Sequence, residues 1–400
     1  MNYHRADWLE RRQGRVARAL LIVALACGIA GFAPASGLAQ LQQPVRAATV
    51  ANAQDDQWDD RFGSPGVTCC AGYDKPFAVE VVGGDVYVGG EFSSMGDREG
   101  TRGIARWDGR SWHALGTGML RDGDQTGNVY DVAVSGDNVY VVGNFDHAGG
   151  VSANGVARWS ISAQTWSAVG SGVGPADDTG DAAAASSVAV VGNEVYIGGN
   201  FAQVDGVATY RVAVWNGTAW AALAGGVADN DTLGFDHVNA IVGAGDLVYV
   251  GGKFENAINP DGIDDVVANN IAVWNRGSKR WSALGAGVSD VVRALAIDGS
   301  NLYVGGDFTK ASGQAVGGIA RWNGAQWSGL GAGSDGAIYS LVVANGSVYA
   351  AGAFSTITGV ANTNSLAAWD GSQWRSLRSE STVQRSSRGL HQRGRRATKW

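Results

Sequence analysis

The hydrophobic pattern of the chain repeats, and its clearest copy is residues 301–330, NLYVGGDFTKASGQAVGGIARWNGAQWSGL. An apolar run ends in Gly-Gly-x-Phe; a polar loop follows, then x-Ala-x-Trp, an Asn-Gly pair and a second Trp. The phrase occurs six times, with its Tyr at Tyr87, Tyr140, Tyr196, Tyr249, Tyr303 and Tyr349, a period of 46 to 56 residues. Short apolar runs bounded by Gly, Asn and Asp are strand signals. Each unit therefore predicts four strands, which in the fifth unit are 291–297, 302–308, 318–322 and 326–330. The first two join through sequences such as SGDN or DGSN, the last two through DGRS, NGTA, NGAQ or DGSQ. Such residues tolerate the positive φ that tight hairpins demand. Two units lengthen the second turn (ISAQ, NRGSK) and move the Trp spacing from five to seven. A change of two keeps both Trp on their original faces.

Four-stranded meanders repeated six times form an all-β β-propeller when set radially, with the first strand of each blade innermost. Six blades is the reading, seven the alternative. A flat stack of sheets would leave edges and need polar caps, which the sequence lacks. The second Gly of the pair (Gly90, Gly143, Gly199, Gly252, Gly306, Gly352) is present in every unit, as expected where a backbone passes close to a neighbour. The first gives way to Val142 and Ala351. Of 15 Trp, twelve form six pairs: Trp107 and Trp112, Trp159 and Trp166, Trp215 and Trp220, Trp274 and Trp281, Trp322 and Trp327, Trp369 and Trp374. Burying one gives about 4–6 kcal/mol gross, an upper bound before entropy. Two segments, residues 57–63 (QWDDRFG) and 373–377, both read as fourth strands, and only one of them can complete a six-bladed ring.

Hydrophobics, Gly-Gly, a loop, an aromatic and then Trp resemble the kelch motif of galactose-oxidase-like propellers. Trp107 and its equivalents stand where kelch usually has Tyr. The wording VYVGGEF, IARWDG and W-x-x-L-G is closer still to repeats of secreted bacterial kelch-like proteins and fungal cortical polarity-marker proteins. The resemblance covers residues 58–377. It implies a fold; such propellers include enzymes, adhesins and scaffolds. The copper site of galactose oxidase finds no counterpart here.

Composition bears on the ends of the chain. Residues 1–39 read as a secretory signal, with Arg11, Arg12, Arg15 and Arg18 before an apolar stretch over 19–33; an uncleaved anchor is the alternative. Export to the cell surface or medium follows, with the periplasm as a variant and no further membrane segment. Residues 40–56 read as a linker and 57–377 as the propeller. Residues 378–400 switch to seven basic residues against one acid. They read as a disordered tail rather than a nucleic-acid arm. The adjacent Cys69 and Cys70 suit neither a metal nor a disulfide framework.

Catalytic patterns are few in this sequence. The five His show no metal-ligand spacing, and no GxSxG or HExxH occurs. Residues 331–336 match GxGxxG but precede a strand, which removes the phosphate-cradling helix. Arg106, Arg158 and Arg321 precede the first Trp of their units, and Glu91, Asn144 and Asp307 sit inside Gly-x-Phe of the same units. Cross-strand pairs Glu91–Arg106, Asn144–Arg158 and Asp307–Arg321 are therefore expected.

Connections from strand two to three, and from strand four to the next blade, share one face and include every long loop. Eighteen acids fall there, against few bases. Long loops on a rigid scaffold are where binding usually resides. Three successive exit loops carry Asp122 and Asp124; Asp177, Asp178 and Asp181; and Asp229, Asp231 and Asp236. Their spacing suits the hard oxygen ligands of Ca²⁺. The sequence thus points to an exported, non-enzymatic propeller binding a protein or glycan through its acidic loop face, with Ca²⁺ as the candidate ion. A secreted glycan hydrolase or lyase using clustered loop carboxylates is the second reading, and a structural cell-surface protein the third.

Overall fold

The computed structural model describes residues 67–68, 75–96, 98–174, 183–229, 236–260, 262, 264–360, 363 and 365–377. Every regular element among them is a β-strand, and no helix among them is long and apolar enough to cross a membrane. The signal, linker, tail and cysteine readings lie outside the described residues, as does segment 57–63.

Six four-stranded antiparallel sheets, each a meander in sequence order, follow one another along the chain as blades; a seventh four-stranded sheet among the described residues is built of two-to-three-residue strands from the connections around blade two. Blade one is Lys75–Val82, Asp85–Glu91, Ile104–Trp107 and Trp112–Ala114. Blade two is Asn128–Ser135, Asn138–Asn144, Val156–Ser160 and Thr165–Ala168. Blade three is Ala185–Val191, Glu194–Gly199, Val212–Trp215 and Trp220–Ala222. Blade four is His237–Ala244, Leu247–Lys253, Ile271–Asn275 and Arg280–Ala283. Blade five is Val292–Asp298, Asn301–Gly306, Ile319–Trp322 and Trp327–Gly329, within two residues of expectation. Blade six is Ile338–Ala344, Ser347–Gly352, Leu366–Trp369 and Trp374–Ser376. First strands of successive blades touch one another, so strand one is innermost and the fold is a β-propeller.

The glycines have a steric cause. Strand one carries a bulge near its start in every blade, at Phe77, Tyr130, Ser186, Asn239, Arg293 and Tyr339. The bulge pushes a carbonyl of strand one, or of the residue just before it, toward the second Gly of strand two. A Cβ at Gly252 would lie 2.0 Å from the His237 oxygen, and one at Gly143 would lie 1.9 Å from that of Asn128. The first Gly faces the next blade instead, where Val129, Val238, Val292 and Ile338 press on Gly89, Gly198, Gly251 and Gly305. That contact is side chain on backbone, which is why Val142 and Ala351 can replace it.

Each Trp pair stacks at a tilt across strands three and four, with ring centroids 5.2–5.6 Å apart. The second indole then reaches into the preceding blade. Trp166 Nε1 donates to the Leu115 carbonyl (2.8 Å), Trp220 to Val169 (2.9 Å), Trp281 to Leu223 (2.9 Å), Trp327 to Leu284 (2.7 Å) and Trp374 to Leu330 (2.8 Å). The large ring thus removes apolar area from water while its one polar atom is satisfied across the seam. The turns between strands three and four are closed by Asp108, Asn216, Asn323 and Asp370, whose Oδ1 atoms accept from the amides two and three residues on.

Five core clusters each span two successive blades, from one–two to five–six. Two smaller ones do not. Val88, Phe92, Met95, Ala105, Trp107 and Trp112 of blade one cluster alone, as do Tyr349, Ala351, Leu366 and Ala368 of blade six. The innermost strands of blades six and one make no contact comparable to that between successive blades.

Candidate functional site: the loop face and the channel mouth

On the long-loop face each blade's exit segment pairs with the next blade's hairpin between strands two and three. Met119–Arg121 lies on His147–Ala148 and Val227–Ala228 on Asn256–Ala257. Single bridges Val173–Val204, Val288–Ala311 and Ser334–Ile357 repeat the contact. Several acids serve this stapling. Asp205 Oδ1 accepts from the Ser171 hydroxyl and amide (2.5 and 2.9 Å), and Asp335 Oδ1 from the Ser355 and Thr356 amides (2.8 and 3.0 Å). The same bonds hold both carboxyls below the usual range. Part of the acidic surplus of this face is therefore structural.

A cleft of about 500 Å³ opens on this face between blades four and five. Asp229, Lys253, Glu255, Asn269, Asp290 and Lys310 line it; Lys253 ends strand two of blade four, and the rest come from the exit connections before and after blade four and from the strand two-to-three connections of blades four and five. Its floor is fixed: Asn269 and Asn270, both at positive φ, donate side-chain amides to the Ala286 (3.1 Å) and Val288 (2.9 Å) carbonyls. Ser289 Oγ accepts from the Thr309 and Lys310 amides, each at 3.1 Å. Cationic and anionic side chains thus stand on backbone that is held on both sides. Such an arrangement can take a polar ligand without first paying to order a loop.

Strand one starts at the loop face, so the bulged residues gather at that mouth of the channel. Phe77 meets Tyr130 (centroids 5.7 Å apart), and the Arg293 guanidinium lies over the Tyr339 ring at 5.3 Å. Arg293 also binds both carboxylate oxygens of Asp307. Deeper, the half-buried Asp131 accepts from the Val132 amide (2.9 Å), the Val188 amide (2.9 Å) and the Ser187 hydroxyl (3.2 Å). Ser187 Oγ in turn accepts from the Ile241 amide at 3.0 Å, linking blades two, three and four. Burial pushes the Asp131 carboxyl up to about 6 despite those bonds. Burial, and then the Asp131 charge, push Glu80 up to about 7. Sequence reading passed over both; the signal was an acid in otherwise apolar strands, NVYDVAVS and PFAVEVV.

The expected cross-strand pairs are corrected. Arg106 stands opposite Tyr87 and bonds Asp85 at 3.1 Å, whereas Glu91 stands opposite Lys75. Arg158 stands opposite Tyr140 and donates to Ser167 Oγ (3.1 Å), while Asn144 pairs with Asn128. Arg321 stands opposite Tyr303 and donates to Ser328 Oγ (3.3 Å), while Asp307 binds Arg293. The cause is register: strand two rises about 3.3 Å per residue, so a group four residues past the Tyr is about 13 Å away.

Of the aspartates proposed for Ca²⁺, Asp177, Asp178, Asp181 and Asp231 lie outside the described residues. Asp122, at positive φ, receives Arg121 on its carboxylate (3.3 Å) and donates its amide to Asp146 (2.9 Å); Asp124 is beside it in the same hairpin. Asp236 is buried and held by Arg211 through two bonds of 3.1 and 3.2 Å. Its carboxylate is engaged by the guanidinium rather than offered to an ion. Among the described residues no three His, Cys, Asp or Glu side chains converge as a metal site would require.

No protein-family model matches the sequence, and no curated relative matches it. Solved structures similar to the chain include the computationally designed protein Ika8, at 17% identity over 78% of this chain and 76% of that one, with TM-score 0.43. A chain of the mitotic checkpoint complex is similar at 15% identity over 85% of each chain, TM-score 0.45. The extracellular domain of BT4673 from B. thetaiotaomicron is similar at 13% identity over 78% of this chain, TM-score 0.46. This chain spans about a third of that domain's length (34%). None of these likenesses bears on partner or activity.

Proposed function

We propose that the protein is an exported, non-enzymatic β-propeller with kelch-like repeats that binds a protein or glycan partner through its long-loop face. The observation that carries this is the cleft between blades four and five, where Lys253, Glu255, Asp290 and Lys310 stand on pinned backbone. The hydrolase or lyase reading requires raised carboxyls converging among the loops. Among the described residues the two raised acids instead sit on innermost strands, and Asp131 already accepts from three donors. Ca²⁺ belongs to this proposal at Asp122 and Asp124 and at Asp177, Asp178 and Asp181, where it would join neighbouring loops.

A glycan array and a peptide-display library, each probed with calcium and with EDTA, supply the ligand. Lys310→Glu and Asp290→Lys should each weaken capture of the selected ligand about tenfold or more, the scale of a lost charged contact. Arg110→Glu, on the short-turn face, should leave it unchanged. Equal capture by all three variants, or turnover of an arrayed glycan, contradicts the reading.

A further inference from the structure

Blade one presents a seam face that no described blade covers. Its Trp112 is 7% exposed, and Nε1 of that indole is buried with no hydrogen-bond partner among the described residues, whereas the other five equivalent indoles each donate to the preceding blade. A buried unpaired donor costs about 1–3 kcal/mol. Among the described residues the cluster around Trp112 contains blade-one side chains alone, and the matching face of blade six has its own separate cluster. Blade six therefore does not supply the missing carbonyl.

The chain itself marks what does. Val67–Thr68 pairs with Ser94–Met95. Val67 opposite Met95 repeats Met119 opposite Ala148 and Val227 opposite Ala257, so Val67 occupies the place of an exit segment arriving from a preceding blade. In the five seams that are formed, the carbonyl that receives the indole lies four residues before the bridging residue: Leu115 before Met119, Val169 before Val173, Leu223 before Val227, Leu284 before Val288, Leu330 before Ser334. A Gly precedes each bridging residue at positive φ, where a Cβ would strike backbone: Gly118, Gly172, Gly226, Gly287 and Gly333. Counting back from Val67 gives Gly66, then Pro65 as one inserted residue, Ser64, Gly63 and Phe62. Gly63 matches Gly116 and Gly170, which abut Trp166 and Trp220, and Phe62 takes the apolar place of Leu115. Trp58 stands four residues ahead of it, where Trp112 stands three ahead of Leu115, so the segment carries one further inserted residue between its Trp and its apolar anchor.

We propose that residues 57–63 dock on the Trp107–Trp112 face of blade one as the outermost strand of a seventh blade position, with the Phe62 carbonyl accepting from Trp112 Nε1. The propeller is then laid out on seven positions, and segments 57–63 and 373–377 belong to different ones. This goes beyond the binding reading and does not depend on it.

The test is made on the full chain by following amide and indole N–H exchange by NMR, with the Trp112 indole assigned through Trp112→Phe. The indole should exchange slowly, like that of Trp166, and show NOEs to Phe62 and Gly63. Trp58→Ala with Phe62→Asp should speed its exchange about tenfold or more while the five other seam indoles keep their protection. NOEs to Leu377, with loss of protection in Leu377→Asp alone, would establish six-bladed closure and overturn the proposal. So would protection that depends on protein concentration, since a second copy would then be the occupant. The NOEs in the unaltered chain decide the matter even if the double variant does not fold.

Discussion

Glu80 and Asp131 occupy innermost strands whose other inward residues are small or apolar, and their environment sets their chemistry. A carboxyl whose pKa is raised on folding binds its proton more tightly in the folded chain than in the unfolded one. For Glu80 the burial penalty is absent below about pH 4.5 and accumulates as the pH rises through about 7. Asp131 behaves likewise between about 3.8 and 6. Glu80→Gln should therefore stabilise the fold at pH 8 by on the order of 2–3 kcal/mol, read as a higher melting temperature, and leave stability nearly unchanged at pH 4.5. A gain of equal size at both pH values would show that the charge of Glu80 is not what costs stability. At this scale the sequence was least legible. Gly252 and the Trp pairs follow from the repeat, because they recur in every copy, and the turn residue Asn323 because it has equivalents in four of the six. Asp131, Arg293 and the Arg211–Asp236 pair occur once each, so no periodicity announces them. The Arg106 partner was misplaced because the repeat shows which strands adjoin but not their register.

At the scale of the element, strand two is explained by what lies on its two sides. Its second Gly meets strand one's bulge in the same blade, and its first meets the next blade's side chains. The sequence already separated the two, since only the first is ever replaced, but it could not identify the neighbour. Gly252→Ala sets a methyl 2.0 Å from the His237 carbonyl, which must move out of the bulge. Gly251→Ala meets the Val292 methyl at 2.4 Å, a side chain with some freedom to turn. Both should destabilise, Gly252→Ala by several kcal/mol and by more than Gly251→Ala, on the scale of overpacking and backbone displacement. Urea denaturation of the two variants measures the difference, and equal midpoints would contradict the account of the bulge. Strand positions and hairpin turns were legible within two residues because alternation and Asx-Gly pairs act locally. The exit segments that staple one blade to the next were not, since a two-residue pairing leaves no pattern.

For the whole molecule, the propeller was legible because six copies of one unit bury their faces only against each other. The face that carries long loops was legible too, from strand direction alone. What could not be read was how the acids there divide between stapling, as with Asp205 and Asp335, and display around the cleft. Charge counts do not distinguish a carboxylate that holds a loop from one that meets a ligand; only contacts do. The central claim is that binding occurs on the loop face at the seam of blades four and five. Amide exchange of the full chain, with and without the ligand selected from the array or library, tests it most directly. Protection on binding should concentrate in residues 253–270 and 285–313, with the short turns at 108–111 and 216–219 unchanged. Protection on the short-turn face, or at seams remote from the cleft, would contradict the account.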